Sequence, residues 1–288
     1  MMQKKVAILV DSGSDVPKSF AQEHRIFVAP LKIIYKDREY EDRLDITPEE
    51  IYARLGEEIP KTSLPSAERV KMLFDQIIAE GYNTVLVITI STGLSGTHNM
   101  IRMMAEEYKN LDVRLIDTKN IGIGSGMQAI LAARMLKAGK TIDEIIIAVE
   151  ESVAKSHVYF CLDTLEYLAK GGRIGLVAAV FGSLLKLRPV ISCNKDGIYE
   201  TVAKVRGSAQ ALAKTISIAV SDAGRHARYA IAVAHGNALD VANKVMDEMK
   251  RLLPDSVEFI KTDVSPALSV HTGPGLIGVA VQALPDGI

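Results

Sequence analysis

The stretch VLVITI-STGLSGT, residues 85–97, places a buried strand, a small polar turn and the start of a helix in succession. The apolar run 85–90 predicts a strand that is covered on both faces, as in parallel α/β sheets. The turn lies where such a sheet presents free backbone N–H groups at a helix N-terminus. Four hydroxyls of the turn add neutral donors, so it could hold a carboxylate or a phosphate. They belong to Ser91, Thr92, Ser95 and Thr97.

The same turn also fits a simpler interpretation, in which it only connects a strand to a helix. Gly93 and Gly96 would then serve the backbone geometry, and the hydroxyls would cap the helix at 98–108. Spacing alone leaves the two interpretations open.

Buried strands are also predicted at 6–10 and 113–116, and each ends in short polar residues. Strand, loop and helix alternate as far as residue 156, which predicts a parallel, three-layer α/β domain over 1–156. The carboxyl ends of its strands should meet along one edge, the usual binding crevice of such a sheet. Capping boxes at Thr47 and Thr141 predict two of its helices.

The pattern changes after residue 156. Strands at 187–194 and 198–205 are joined through Asp196-Gly197, a strong hairpin signal. Hairpins mixed with helices predict an α+β domain with a largely antiparallel sheet over 157–288. Residues 176–187 predict an apolar helix, either in the core or as the wall of a ligand tunnel.

Composition narrows the classes of function. Lys and Arg number 34 and Asp and Glu 35 among 288 residues, which argues against a nucleic-acid-binding face. Cys161 and Cys193 are far apart, as in a reduced cytoplasmic protein. No apolar segment has the length of a signal sequence or a membrane span.

Three further motifs carry glycine beside a polar or charged residue. Gly122-x-Gly124-x-Gly126 lacks the full dinucleotide-binding spacing and is better explained as a tight turn. Arg173 follows two glycines, and it is either a solvated side chain or one presented to a phosphate or an acidic partner. The segment 271–275, HTGPG, predicts a loop with a positioned histidine, which is either satisfied in its own turn or binds an anion.

Patterns for other chemistries are absent from the sequence. The six histidines are scattered without ligand spacing, and there is neither a phosphate-binding P-loop nor a Gly-x-Ser-x-Gly nucleophile elbow. We therefore predict no metal, no cofactor and no catalytic residue. A self-sufficient α/β enzyme acting on a small carboxylated or phosphorylated substrate remains the alternative.

Taken together, the motifs resemble the DegV family, the FakB-type bacterial fatty-acid-binding proteins. They occur in the order of that family and span nearly the whole chain, although Ser91-Thr92 replaces the more usual pair of serines. The matching pieces are Asp11-Ser12, Lys61-Thr62-Ser63, Leu94-Ser95-Gly96-Thr97, Gly171-Gly172-Arg173-Ile174, Val205-Arg206-Gly207 and His271-Thr272-Gly273-Pro274-Gly275.

The resemblance implies two domains with a long apolar tunnel between them, which holds one fatty acid such as palmitate, stearate or oleate. It implies that Thr62, Ser95 and His271 hold the acyl carboxylate. Arg173 and Arg206 match two arginines of the family that are tied to kinase docking and phosphoryl transfer. We include five neighbouring residues in the predicted ligand site. They are Ser63, Ser91, Thr92, Gly96 and Thr272.

The partner implied by the resemblance is a separate ATP-dependent fatty acid kinase, which converts the bound acyl group to an acyl phosphate for phospholipid synthesis. The chain itself would be the lipid-binding subunit and not an enzyme. It would be cytoplasmic, with no integral membrane segment and at most a transient membrane contact. Physically, a carboxylate at the mouth of an apolar tunnel must be hydrogen-bonded, or it will be protonated or expelled.

Overall fold

The fold is given by a computed structural model, which describes residues 5–179 and 187–285. Within these ranges the strands form three sheets, and the first two lie in residues 6–153. The elements of this part are β1 (Val6–Asp11), α1 (Lys18–Glu23), β2 (Phe27–Ala29), β3 (Lys32–Ile34), β4 (Glu39–Glu41), α2 (Pro48–Arg54), β5 (Lys61–Ser63), α3 (Ala67–Ala79), β6 (Thr84–Thr89), α4 (Thr97–Ala105), β7 (Asp112–Asp117), α5 (Ile123–Lys137) and α6 (Ile142–Val153).

The first sheet has the order β2-β1-β6-β7, and all its pairs are parallel. Its two faces are both covered, as the apolar runs predicted. Ala7 and Leu9 of β1 pack in the cluster that contains α3 and α4. Ile8 and Val10, on the opposite face, pack in the cluster that contains α5 and α6. The predicted three-layer arrangement is confirmed, as are the capping boxes at Thr47 and Thr141.

A small antiparallel sheet, β4-β3-β5, lies beside the first one. The polar composition and the bracketing prolines of the segment 60–66 predict a loop, but the segment contains β5. Ile33 pairs with Thr62, so the backbone of β3 fixes where the Thr62 side chain points. The strand was missed because three residues between prolines are too few to show an alternating pattern.

The second part of the chain forms a six-stranded sheet of order β10-β9-β8-β13-β11-β12. Only β11 and β12 pair in parallel, so the predicted largely antiparallel sheet and its hairpin are confirmed. Its elements are β8 (His157–Cys161), α7 (Glu166–Lys170), β9 (Leu187–Cys193), β10 (Tyr199–Arg206), α8 (Ser208–Ala223), β11 (Tyr229–His235), α9 (Leu239–Leu252), β12 (Phe259–Asp263), α10 (Pro266–Thr272) and β13 (Ile277–Ala283).

Helix α5 lies between the two large sheets. Its residues Met127 and Ile130 pack with Phe160 and Ala232 of the second sheet, in the largest apolar cluster of the described chain. Other residues of the same helix, such as Leu131, pack against the first sheet. Helices α8 and α9 cover the far face of the second sheet. The two sheets therefore share one core around α5.

Three details of the second part differ from the sequence predictions. The segment 271–275 was expected to be a loop, but His271 and Thr272 form the last turn of α10, which Ser265 caps. The residue type of Asn237 predicts that it caps α9, but Ala238 holds that position and Asn237 has a positive φ of 50°. Of the predicted helix 176–187, Gly175–Ala179 forms a short 3₁₀ helix, and residues 180–186 lie outside the described residues.

Helix α5 also starts earlier than expected, at Ile123 and not at Met127. Gly122 precedes it with a positive φ of 56°, and Gly124 and Gly126 lie in its first turn. A side chain at Gly126 would overlap the carbonyl oxygen of Ser14. Gly126 therefore allows α5 to approach the N-terminal turn closely, and the predicted tight turn is corrected, because Gly124 and Gly126 are helical.

Candidate ligand-binding site

Two distant segments meet at a short contact between Thr62 and His271. The Thr62 hydroxyl oxygen and the His271 Nε2 lie 2.6 Å apart, although 209 residues separate them in the chain. Strand β5 presents the threonine, and the last turn of α10 presents the histidine. The structure therefore brings together two of the three residues that the resemblance assigned to a carboxylate.

Buried carboxylates hold the start of α10 in place. The backbone N–H of Ala267 donates to Asp42 Oδ1 over 3.1 Å, and that of Ser265 donates to Asp15 Oδ1 over 2.8 Å. Tyr52 adds a side-chain contact, since its hydroxyl accepts from Ser269 over 2.8 Å. Because the helix is only two turns long, these contacts also fix the position of His271 at its other end.

His271 is a neutral imidazole at physiological pH. Its side chain is buried, and burial together with the nearby Arg173 lowers its pKa to about 4. Its Nδ1 has no hydrogen-bond partner among the described residues and lies against Gly171, where a side chain would overlap it. A proton on Nδ1 would find no acceptor, so the geometry favours the tautomer in which Nε2–H donates to Thr62. The Thr62 O–H is then free to donate to a ligand.

The turn 91–97 supplies the third predicted residue. The backbone N–H groups of Leu94 and Ser95 both donate to the carbonyl of Ser91 over 3.0 Å, which folds the turn back on itself. The Ser95 hydroxyl lies 2.9 Å from that of Thr97 and accepts from the Thr97 N–H over 3.3 Å. Ser95 thus stands at the start of α4, where an anion is also favoured by the helix N-terminus.

A cavity of about 50 Å³ joins these groups. Thr62, Ser63, Ser95, Arg173 and His271 form its polar wall. The remaining wall is almost wholly apolar and consists of Leu31, Leu64, Ile90, Leu94, Ile121, Tyr199, Ala267 and Leu268. The arrangement offers several hydrogen-bond donors and one guanidinium to the polar end of an otherwise apolar ligand.

A second cavity, of about 40 Å³, continues from the first. The two share Ile121, Tyr199, Leu268 and His271 as lining residues. Most of the inner lining is apolar, for example Ile123 and Phe160 from facing elements; Asp15 and Thr272 are also part of it. The lining is therefore less polar in the second cavity than in the first.

Three other predicted ligand residues have side chains that are hydrogen-bonded within the protein. The Ser91 hydroxyl accepts from the N–H of Gly93 over 3.0 Å, and the Thr92 hydroxyl donates to Asp117 over 2.5 Å. Gly96 precedes α4 as its N-terminal cap residue. The Thr272 hydroxyl donates to the carbonyl of Leu268 over 3.0 Å. Neither Ser91, Thr92 nor Gly96 lines the two cavities.

The two predicted arginines are in different places. Arg173 lines the first cavity, and its guanidinium donates to the carbonyl of Gly171 over 2.8 Å. Arg206 lies exposed at the end of β10 and lines neither cavity. Arg173 therefore lies at the cavity, whereas Arg206 lies at the surface away from it.

Sequence reasoning missed the apolar lining residues and Asp15. Ile121, Tyr199 and Leu268 come from three separate elements and carry no motif, so only the assembled fold identifies them. Asp15 was noted only as part of the polar end of the first strand. Its distance along the chain from residues such as Leu268 hides its place in the inner cavity.

A cleft larger than these two cavities lies elsewhere on the protein and lacks the predicted ligand residues. A cleft of about 870 Å³ lies at the edge of the second sheet, beside the starts of α8 and α9. Four carboxylates lie along it, and it contains none of the predicted ligand residues. The carboxylates belong to Glu49, Asp163, Asp240 and Asp263. A carboxylate ligand is better served by the smaller cavity, where Arg173 and neutral donors converge.

The fold defines an α/β protein with one cavity of mixed polarity and a more apolar one beside it, and known proteins have similar sequences and folds. A family model for DegV, a family of uncharacterised proteins, matches residues 5–284. A DegV domain-containing protein of Clostridium acetobutylicum is 40% identical over 285 residues, covering 96% of this chain and 99% of that protein. The chain belongs to the DegV family, which confirms the resemblance seen in its motifs.

Solved structures of the family have the same fold. A fatty-acid-binding DegV protein of Thermus thermophilus superposes with a TM-score of 0.91 at 28% identity, covering 97% of this chain and 100% of that one. A stearic-acid-binding protein of Eubacterium ventriosum superposes with a TM-score of 0.88 at 26% identity, covering 97% and 98%. These structural neighbours bind fatty acids.

Two further observations concern membranes and metals. In residues 5–179 and 187–285 we find no helix with the length and apolar character needed to cross a bilayer. The same part of the chain contains no cluster of three or more His, Cys, Asp or Glu side chains that could hold a metal ion.

Proposed function

We propose that this protein binds one long-chain fatty acid and presents its carboxylate to a separate ATP-dependent fatty acid kinase. The observation that carries the proposal is the contact of Thr62 with a neutral, buried His271 in the wall of a cavity that becomes apolar further in. The fatty-acid-binding structural neighbours support it, because they share the fold over nearly the whole chain.

The carboxylate would lie among Thr62, Ser95 and His271. Hydroxyl donors hold an anion without neutralising it, and each can serve one oxygen lone pair. Such a site leaves part of the carboxylate free to attack the terminal phosphate of ATP, whereas a bidentate arginine would occupy both oxygens. Neutral His271 fits this role, since the Nε2–H directs the Thr62 hydroxyl toward the ligand.

Arg173 and Arg206 would act during transfer. Arg173 stands in the wall of the carboxylate cavity, where its charge can stabilise the acyl phosphate as it forms. Arg206, exposed at the end of β10, would contact the kinase. In this scheme the kinase supplies the ATP chemistry, so the present chain acts as a lipid-binding subunit in the cytoplasm and needs no cofactor of its own.

The first test is to extract the purified protein with organic solvent and identify the bound lipid by mass spectrometry. We expect a fatty acid at a molar ratio near one. Protein that yields no fatty acid, and takes up none after incubation with palmitate, stearate or oleate, would contradict the proposal.

The second test measures acyl phosphate formation with the kinase in three variants, Thr62→Val, Ser95→Ala and His271→Ala. Each should lower the rate because each removes a group that holds the carboxylate. Arg206→Ala should lower the rate while leaving fatty acid binding unchanged. Full activity in all three cavity variants would contradict the assignment of the site.

A further inference from the structure

One carboxyl oxygen in the inner cavity has no hydrogen-bond partner. Asp15 is buried, with 1% of its surface exposed. Its Oδ1 accepts from the Ser265 N–H over 2.8 Å and from the Arg43 guanidinium over 3.2 Å. Its Oδ2 has no partner among residues 5–179 and 187–285. Both donors, the Ser265 N–H and the Arg43 guanidinium, bind Oδ1, and neither reaches Oδ2.

The unpartnered oxygen lies beside a glycine of the inner cavity wall. Asp15 is part of the lining of the inner cavity, and so is Gly122. Oδ2 is on the Gly122 side of the carboxyl group, 3.1 Å from where a side chain at Gly122 would begin. Oδ2 therefore lies at the part of the cavity wall that Gly122 leaves without a side chain. The walls around it come mainly from apolar residues, including Ile123 and Val264.

An alkyl chain alone would leave this oxygen unsatisfied. A buried acceptor without a donor costs about 1–3 kcal/mol, and an ionised one costs more. Arg43 cannot turn to it easily, because the same guanidinium also donates to the carbonyl of Asp263 over 2.9 Å. Burial raises the pKa of Asp15 to about 7, so the carboxyl is ionised at alkaline pH and accepts only.

We propose that the fatty acid preferred by this protein carries a hydroxyl group on its chain, which donates a hydrogen bond to Asp15 Oδ2. This inference rests on the proposed function and narrows its ligand class from long-chain fatty acids to hydroxylated ones. Asp15 is then a specificity residue, separate from the Thr62 and His271 pair that would hold the carboxylate. Sites that hydrogen-bond a ligand hydroxyl discriminate strongly against ligands that lack it.

The experiment measures the affinity of the delipidated full-length chain for stearate and for a series of stearates that carry one hydroxyl at different positions. It is run at pH 8.5, above the pKa of Asp15. We expect at least one positional isomer to bind about tenfold more tightly than stearate, which corresponds to one hydrogen bond of about 1.4 kcal/mol. Equal or weaker binding of every hydroxystearate would overturn the inference.

The substitution Asp15→Asn replaces the hydrogen-bond acceptor at the position of Oδ2 with a donor. Oδ1 must remain an oxygen to accept from Ser265, so the amide nitrogen takes the place of Oδ2 and can only donate. The variant should therefore prefer the oxo-stearate over the hydroxystearate that the wild type prefers. Retention of the wild-type preference would contradict a role for Oδ2.

Asp11→Asn is the matched control. Asp11 is an equally buried carboxyl, which accepts from the Ile90 N–H over 2.8 Å, has its other oxygen without a partner among the described residues, and lines neither cavity. Its substitution should leave the hydroxyl preference unchanged, and a lost preference would contradict the assignment to Asp15. The wild-type comparison needs no variant, so it remains decisive if either protein fails to fold. If stearate and all hydroxystearates fail to bind, the proposed function itself fails.

Discussion

Two glycine-containing turns at the carboxyl edge of the first sheet look alike in sequence but differ in how their glycines are packed. The turn 91–97 follows β6, and the turn 122–126 follows β7. In the first, Leu94 and Ser95 line the cavity beside His271. In the second, Gly124 and Gly126 lie inside α5, with Asn120 and Ser14 against them.

The difference lies in what surrounds the glycines. Gly96 has open space around it, since a side chain there would come no closer than 3.5 Å to Leu64. Gly126 has a neighbouring backbone in the space that a side chain would need. The other glycine of the first turn, Gly93, is also packed against a backbone, that of Gly197, so Gly96 alone distinguishes the first turn from the second.

The strongest test of this comparison is Gly126→Ala against Gly96→Ala. Gly126→Ala forces a methyl group onto the Ser14 carbonyl and should destabilise the protein by about 3 kcal/mol or prevent folding. Gly96→Ala should cost less than about 1 kcal/mol, the loss expected at a helix N-cap. Urea denaturation followed by circular dichroism measures both, and equal losses would remove the distinction between the turns.

The second test concerns the cavity beside the first turn, which holds a neutral imidazole. The pKa of His271 is lowered from 6.5 to about 4, so protonation favours the unfolded chain. The contribution of neutral His271 to the free energy of unfolding is complete above pH 6.5. As the pH falls toward 4, the free energy of unfolding decreases by about 3 kcal/mol in total. His271→Gln removes the titrating group and should lack this loss.

Three buried carboxyls change the stability with pH in the direction opposite to that of His271. Burial raises the pKa values of Asp11 and Asp15 to about 7 and that of Asp42 to about 6. Their contributions to stability decline as the pH rises. Since both proteins contain them, they cancel in the difference between wild type and His271→Gln. A difference that does not change between pH 4 and 6.5 would contradict a buried, neutral His271.

The third test measures how much the Ser95 hydroxyl of the first turn contributes to fatty acid affinity. Ser95→Ala removes a donor from the cavity wall and should weaken fatty acid binding about tenfold. The folded state should lose little stability, because Ser95 is only partly buried. Displacement of a fluorescent fatty acid measures the affinity; an unchanged value would place the carboxylate elsewhere.

The smallest effect is expected for Thr92→Val in the same turn. The Thr92 hydroxyl is bonded to Asp117, and the residue does not line either cavity. Affinity in the displacement assay should change by less than about twofold, although stability should fall by about 1 kcal/mol with the lost hydrogen bond. A loss as large as that of Ser95→Ala would show that the whole turn binds the ligand.

Much of the fold could be predicted from the sequence because its strands and caps are local signals. The buried runs of β1 and β6, the capping box at Thr47 and the hairpin at Asp196-Gly197 each depend on a few adjacent residues. The strand β5 and the last turn of α10 were missed because they are short and are fixed by distant partners such as Ile33 and Asp42.

In the site, too, residues with a local sequence signal could be predicted, and residues that meet only in the folded chain could not. Ser95 and His271 were found from their own segments, whereas Thr62 was assigned only by resemblance to the family before the structure brought it against His271. The apolar lining could not be predicted, because Ile121, Tyr199 and Leu268 meet only after the sheets pack around α5. Asp15 belongs to the same class, since its exposure to the cavity depends on Gly122.

The central claim is that the carboxylate of a fatty acid lies against Thr62, Ser95 and His271. Carbon-13 NMR of delipidated protein with palmitate labelled at its carboxyl carbon tests it most directly. We predict one bound resonance at a molar ratio of one, shifted from that of free palmitate and lost or moved in Thr62→Val and His271→Ala. A bound resonance that is identical in wild type and both variants would contradict the claim.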